Sequence, residues 1–376
     1  MDTMKQKRKH MAVWAYCLLG CLCASCSSND APGVEEESKV ALPDRRMFIL
    51  NEGSYENNNA GITFYAPSND ASIIGDIYKV QNTADLGQYG QWMIAQGGHI
   101  YVVVHGSNYL SMMNNACVEE RRLSFGSHPE LQGGVRDVVA RDNYLYADFY
   151  GGVVAKINAS TLEIEKIQSG VGHNVEKMTV AGDKLYVTDA YKIDDKGTYV
   201  YLDEVVVLDV NTLEKLKTIK VDMNPNFVLT ADGKVVLVSY GDYYTVDYSL
   251  QLIDPQNDAV TRLNVQANKC CVWGDKLVFS LSTYNYESND YTTTFGMYDL
   301  LTGRVDKENV LHDMPAALYR ESVYMMDVDA DTGDLYIGTT DYFSNGDVYR
   351  FGSDGSFKEQ FETGSINPKV AVFVDK

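Results

Sequence analysis

The chain lacks a disulfide framework. Four of its seven cysteines (Cys17, Cys21, Cys23 and Cys26) sit near the N-terminus, and only Cys117, Cys270 and Cys271 remain for the rest of the chain. Three thiols cannot staple a fold of this length, so a hydrophobic core must hold it. The adjacent pair Cys270-Cys271 reads better as two thiols on an inner strand ahead of Val272-Trp273 than as a strained vicinal disulfide. Helical periodicity is also missing. From Arg46 onward no stretch sustains apolar residues at i, i+3, i+4 and i+7 over three turns, which excludes a helical fold. Basic residues are scarce, 32 against 52 acidic, for a formal charge of −20. Nucleic acid and anionic membrane surfaces are poor partners for such a chain.

Catalytic constellations are absent from the sequence as well. It contains no Gly-x-Ser-x-Gly elbow, no His-Glu-x-x-His helix and no glycine-rich phosphate loop leading into a helix. The histidines His99, His105, His128, His173 and His312 show no metal-ligand spacing. The run from Asp327 to Asp334 resembles a calcium loop, but Gly333 comes one residue late and Gly338 stands where the bidentate Glu belongs. It reads as a strand and hairpin. The expectation is a binding protein rather than an enzyme, without a cofactor or metal.

What is present begins with a leader over residues 1–25. Lys5, Lys7, Arg8 and Lys9 form a positive region, and Met11 to Ser25 is a short apolar core of 15 residues ending in small side chains. That is too short for a membrane-spanning helix, which needs about 20 residues. Leu22-Cys23-Ala24-Ser25-Cys26 resembles a bacterial lipoprotein box with Cys26 as the lipidated residue. Leu18-Leu19-Gly20-Cys21 fits the consensus even better, but leaves a very short apolar core and a hydrophobic mature start. Without the leader's four basic residues and Asp2, the chain carries 28 basic and 51 acidic residues, a charge of −23. Residues 26–45, with Pro32, Gly33, Glu35-Glu36-Glu37 and Pro43, read as an acidic, flexible tether.

From residue 46 a repeat governs the chain: strand, tight Gly or Asp turn, Leu-Tyr-like strand, loop, strand ending in Asp, charged edge strand. Tyr144-Leu145-Tyr146, Lys184-Leu185-Tyr186 and Asp334-Leu335-Tyr336 are copies of the second strand, each preceded by turn residues suited to short hairpins. Thr212 to Lys217 reads as one charged edge strand. Six units are complete. The N-terminal one has only Met47–Leu50 and Gly61–Tyr65 and lacks a first strand, while the chain ends on an orphan strand, Pro368 to Val374. Joining the two termini in one blade closes a ring without open edges. The sequence predicts an all-β, seven-bladed propeller over residues 46–376, closed by the C-terminal strand, at about 47 residues per blade.

In that fold the loops between second and third strands share one face with the connections between blades. Tyrosine-rich excursions recur there around Tyr55, Tyr109, Tyr150, Tyr191, Tyr240–Tyr248, Tyr284 and Tyr342. Tyrosine supplies a rigid ring and a hydroxyl at low entropic cost, so a tyrosine face mixed with amides and Asp suits a large ligand rich in amides or hydroxyls. The candidate ligand contacts are Tyr55, Asn58, Trp92, Asn108, Tyr109, Tyr150, Tyr191, Tyr240, Asp242, Tyr243, Tyr244, Tyr284, Tyr286 and Tyr342. Some of these tyrosines are expected to be packing residues at loop bases.

The leader box, Ile49-Leu50-Asn51-Glu52-Gly53, Ser107-Asn108-Tyr109, Gly241-Asp242-Tyr243-Tyr244, Thr294-Phe295-Gly296 and Gly346-Asp347-Val348-Tyr349-Arg350-Phe351-Gly352 together resemble the YncE-like propeller lipoproteins of Bacteroidetes. Within that group they are similar to the cobalamin-capturing BtuG type. The acidic stretch after Cys26 resembles the surface-export signal of such lipoproteins. The resemblance implies an outer-membrane lipoprotein facing the cell exterior that captures vitamin B12 or another corrinoid and passes it to a TonB-dependent BtuB-type transporter. Cobalamin would be a ligand here, not a cofactor. Tyrosine-rich faces also bind glycans, so a glycan- or protein-binding scaffold is the alternative.

Overall fold

A computed structural model describes residues 38–376, apart from 56, 69, 70 and 309. The leader, Cys26 and most of the tether lie outside the described residues. Those described form 28 strands in seven four-stranded antiparallel sheets, the blades of a seven-bladed β-propeller. Blade 1 joins the two ends of the chain, and blades 2 to 7 follow in sequence order.

The repeat explains the blade. Each sheet is sandwiched between two neighbours, so its middle strands are apolar on both faces; Lys234–Ser239 is buried from Val235 onward. The core therefore lies between blades, as where Val103 and Leu110 of blade 2 pack with Phe149 and Ala155 of blade 3. The outermost strands face water and carry charge, as in Glu119–Ser124 and Lys215–Lys220. The latter starts three residues later than expected. The Asp209 side chain accepts the backbone N–H groups of Asn211 (2.9 Å) and Thr212 (2.8 Å), folding them into a turn before the strand begins. Asp299 repeats the device with Leu301 and Thr302, which is why third strands end in Asp. Between first and second strands, Asp232 and Gly233 both have positive φ (45° and 67°), as a two-residue hairpin of matching twist requires.

Ring closure is as the orphan strand suggested. Pro368–Asp375 pairs antiparallel with Arg45–Asn51, setting Ala371 against Ile49 and Asp375 against Arg45. Two features differ from expectation. A six-residue helix, Ile77–Asn82, caps blade 1, too short to register as periodicity, with Asp76 accepting the Lys79 N–H at 3.1 Å. The end of the tether is docked rather than free: Gln81 accepts the Lys39 N–H and donates to Ser38 Oγ, both at 2.8 Å, and Leu42 is buried. No helix among the described residues is long and apolar enough to cross a membrane.

Candidate functional site: a tyrosine rim around a charged channel mouth

The antiparallel register puts the start of each inner strand beside the end of its second strand. Gly90 lies opposite Val104, Val135 opposite Phe149, Asn174 opposite Tyr191 and Pro225 opposite Ser239. The inner strands thus begin on the face that carries the tyrosine excursions. Side chains at their first to third positions converge there: Lys369, Gln91, Arg136, Glu176, Asn226, Lys269 and Tyr324 line a central cavity of about 550 Å³.

Around this mouth the aromatic rings follow one another. Tyr55 packs on Tyr89 (ring centroids 5.9 Å apart), Tyr89 on His105 (6.0 Å), His105 on Tyr150 (5.5 Å), Tyr150 on Tyr191 (6.2 Å) and Tyr191 on Tyr199 (5.1 Å). A second run links Tyr201, Tyr243, Tyr240 and Tyr248 at 5.7, 6.3 and 5.4 Å. Tyr284 meets Tyr286 and Tyr291, and Tyr342 meets Tyr324 at 5.8 Å. Most of these pairs are edge-to-face, an arrangement worth roughly 0.5–1.5 kcal/mol per pair beyond burial. Burial pushes the Tyr89 and Tyr243 hydroxyls up to about 12, so both remain donors near neutrality.

The wall of the mouth is ionic. Arg136 pairs with Glu176, which also accepts the Tyr150 hydroxyl at 2.7 Å, and the guanidinium lies 4.6 Å from the Tyr150 ring centre. Lys177 pairs with Asp137 at 2.8 Å and sits against the Trp92 ring. Burial drives both partners toward neutrality, lowering the ammonium and raising the carboxyl. Lys369 pairs with Glu52, which also accepts from Tyr324 and, at 2.8 Å, from Gln91. Among the described residues Lys269 has no such partner; its ammonium stands 5.0 Å from the Tyr324 ring centre. Burial, followed by the nearby Lys369, pulls it down to about 8. Burial also raises the Asp327 carboxyl, deeper in the channel, to about 7. His105 is held neutral, lowered to about 4 by burial and then by Arg136, and its Nδ1 donates to the Val135 carbonyl at 3.1 Å.

The structure divides the fourteen expected contacts. Tyr150, Tyr191, Tyr240, Tyr243 and Tyr342 belong to the rim, joined by Tyr284 and by the exposed Tyr55, Tyr244 and Tyr286. Trp92 lies on the inner strand Gly90–Gln96, where it lines the cavity. Asn58 is exposed in the blade 1 loop. Three others serve the scaffold. Tyr109 is buried in the core with its hydroxyl donating to the Leu86 carbonyl. Asn108 donates to the Leu131 carbonyl (2.9 Å) and accepts the Val135 N–H (3.2 Å), tying blade 2 to the next connection. Asp242 accepts the N–H groups of Tyr244, Thr245 and Val246 at 2.9, 2.6 and 2.7 Å; with the Thr245 hydroxyl, these bonds hold its carboxyl well below the usual range. It shapes the Tyr243-Tyr244 loop.

Sequence reasoning missed Glu52, Tyr89, Arg136, Glu176, Lys269, Tyr324 and Lys369 as site residues. For Arg136, Glu176, Lys269, Tyr324 and Lys369 the one sequence signal is a polar residue at the start of an inner strand, as in Pro368-Lys369 and Gly134-Val135-Arg136; Glu52, just past a second strand, and Tyr89, just before an inner one, lack even that. Among the described residues, no group of three or more His, Cys, Asp or Glu is placed to hold a metal ion.

Fold and site together define a seven-bladed propeller with a tyrosine-rimmed channel mouth. The chain belongs to the family described as "Domain of unknown function (DUF5074)", which it matches over residues 45–373. No curated protein matches it in sequence. Among solved structures it is similar to a quinonprotein alcohol dehydrogenase-like protein from Bacteroides thetaiotaomicron, at 14% identity over 87% of this chain and 77% of that one, TM-score 0.58. It is also similar to Kuenenia stuttgartiensis hydrazine synthase (14% identity, 69% and 74% covered, TM-score 0.55) and to the Neurospora crassa Pan2 WD40 domain (11%, 71% and 78%, TM-score 0.52). At these identities the likeness is one of fold.

Proposed function

We propose that this protein captures cobalamin or a related corrinoid on the tyrosine-rimmed face and hands it to a TonB-dependent outer-membrane transporter of the BtuB type. In this reading it is a YncE-like lipoprotein, anchored through Cys26 and facing the cell exterior, and it binds without catalysis. The observation that carries the proposal is the aromatic rim around a polar mouth of about 550 Å³. A corrinoid is too large to enter such a cavity whole. Its ring system would rest on the tyrosines while one edge reaches the mouth, and its peripheral amides would meet tyrosine hydroxyls and the carboxamides of Gln91 and Asn226. Its cobalt already carries ligands, so no protein histidine is needed.

The test is the Tyr243→Ala/Tyr244→Ala double variant, whose affinity for cyanocobalamin, measured by equilibrium dialysis, should fall at least tenfold. Unchanged affinity removes this part of the rim from the site. A second reading is a surface glycan- or protein-binding scaffold, favoured by Tyr244, Tyr286 and Phe343, which are 92%, 90% and 89% exposed on the same face. Retention on a glycan column with no corrinoid binding would establish it instead.

A further inference from the structure

Of the four cations in the channel mouth, three are matched: Arg136 by Glu176, Lys177 by Asp137 and Lys369 by Glu52. Lys269 makes neither an ion pair nor a side-chain hydrogen bond with any described residue, and its ammonium lies over the Tyr324 ring. The nearby carboxyls Glu52 and Asp327 attract this ammonium without contacting it, and both have other partners. Glu52 already accepts from Lys369, Gln91 and Tyr324, and Asp327 accepts the Ala371 N–H at 2.8 Å. A partly buried ammonium without a counter-charge in contact is costly, and the fold places this one at the first position of the inner strand Lys269–Trp273, facing a cavity open to ligand. In a chain so rich in acid, a carboxylate neighbour would be easy to provide.

We propose that Lys269 anchors an oxyanion group of the captured ligand, a phosphodiester or a carboxylate, seated in the mouth beside Tyr324 and Lys369. The inference rests on the reading of this face as a ligand-capture site and adds the chemistry of the group that enters it. A charge-assisted bond from the ammonium to the oxyanion satisfies both ions, and the paired cation Lys369 adds to the attraction. Among corrinoids this selects those with a nucleotide loop: cobalamin carries one phosphodiester, and cobinamide lacks it.

Two measurements test this separately from the identity of the ligand. In protein labelled with ¹³C-lysine, the Lys269 Cε signal, assigned with Lys269→Met, is followed while inorganic phosphate or acetate replaces chloride at constant pH and ionic strength. A saturable shift with phosphate, with acetate or with both is expected, and it tells which oxyanion the mouth prefers; no saturable shift with either overturns the proposal. In the second, Lys269→Met should weaken cyanocobalamin binding at least tenfold and leave dicyanocobinamide unchanged, with Lys269→Arg keeping most of the cobalamin affinity. Loss of both ligands alike, or of neither, contradicts the anchor role. Lys269→Met removes an unmatched charge, so its melting temperature should be no lower than that of the wild type. If the wild type binds neither corrinoid, the choice of ligand falls, and the phosphate and acetate titration still decides the subsite.

Discussion

A half-buried carboxyl with a single backbone donor, such as Asp327, holds its proton far longer in the folded protein than in the unfolded chain. Unfolded, it ionises near pH 4; folded, near pH 7. The proton is therefore bound more tightly by the native state, and the associated stability is complete below pH 4 and lost as the pH rises toward 7. The loss is on the order of 1.4 kcal/mol per pH unit. His105 works in the opposite sense over much of the same range, because its folded value is lowered to about 4. The difference between variants is thus the informative quantity. In urea denaturation at pH 4.5 and 6.5, Asp327→Asn should lose less stability than the wild type between the two conditions, since Asn can still accept the Ala371 N–H and has no proton to lose. Parallel losses would show that Asp327 ionises normally in the fold. The place of the tyrosines on the rim was largely legible at this scale because they recur in the same loops of the repeat. The ionic wall was not: Arg136 and Glu176, like Lys177 and Asp137, lie 40 residues apart, and Lys369 and Glu52 lie 317 apart. A single polar residue at the head of an apolar strand looks in sequence like any strand end.

Among the elements, blades 4 and 6 stand out. Their middle hairpins, Lys184–Ile193 with Tyr199–Asp209 and Lys276–Asn285 with Asp290–Asp299, have strands of 10 or 11 residues, against 6 and 5 in blade 5 between them. Tyr191, Tyr199, Tyr201, Tyr284 and Tyr291 therefore sit on projecting ribbons, not in irregular loops. Cross-strand pairs such as Tyr284 with Tyr291 and Thr283 with Thr292 extend the ladder beyond the blade. The sequence obscured this because Asn, Asp and Gly at the ribbon tips read as loop composition throughout. Blade 5 instead carries a turn shaped by Asp242 and Gly241. Gly241 has φ 63°, and a Cβ there would lie 1.9 Å from the Val246 carbonyl oxygen. Gly241→Val should displace Tyr243 and Tyr244 while sparing the sheet. The expected outcome is at least a tenfold loss of ligand affinity with a melting temperature within a few degrees of wild type. Full affinity would mean that this loop is not part of the site.

For the whole molecule, the decisive feature is closure. Blade 1 takes its inner strand from the far end of the chain, and Val370, Val372 and Val374 of that strand pack into the same core as Phe48 and Leu50. Deleting residues 368–376 leaves blade 1 three-stranded and opens the ring beside the mouth, also removing Lys369. Calorimetric scanning of that truncation should show no cooperative transition comparable to that of the full protein; an unchanged transition would mean the ring does not depend on its closing strand. This architecture was legible because the incomplete first unit and the orphan last strand are complementary halves of one repeat. What the repeat could not reveal is the asymmetry superposed on it, with the longest ribbons and most of the exposed aromatics on blades 4 to 7. That asymmetry gives a symmetrical scaffold one aromatic face. The most direct test of this account is calorimetric titration of cyanocobalamin into the purified protein. The account predicts saturable one-to-one binding, with the red colour retained on the protein through gel filtration. No heat and no retained colour would contradict it and leave the glycan- or protein-binding reading in its place.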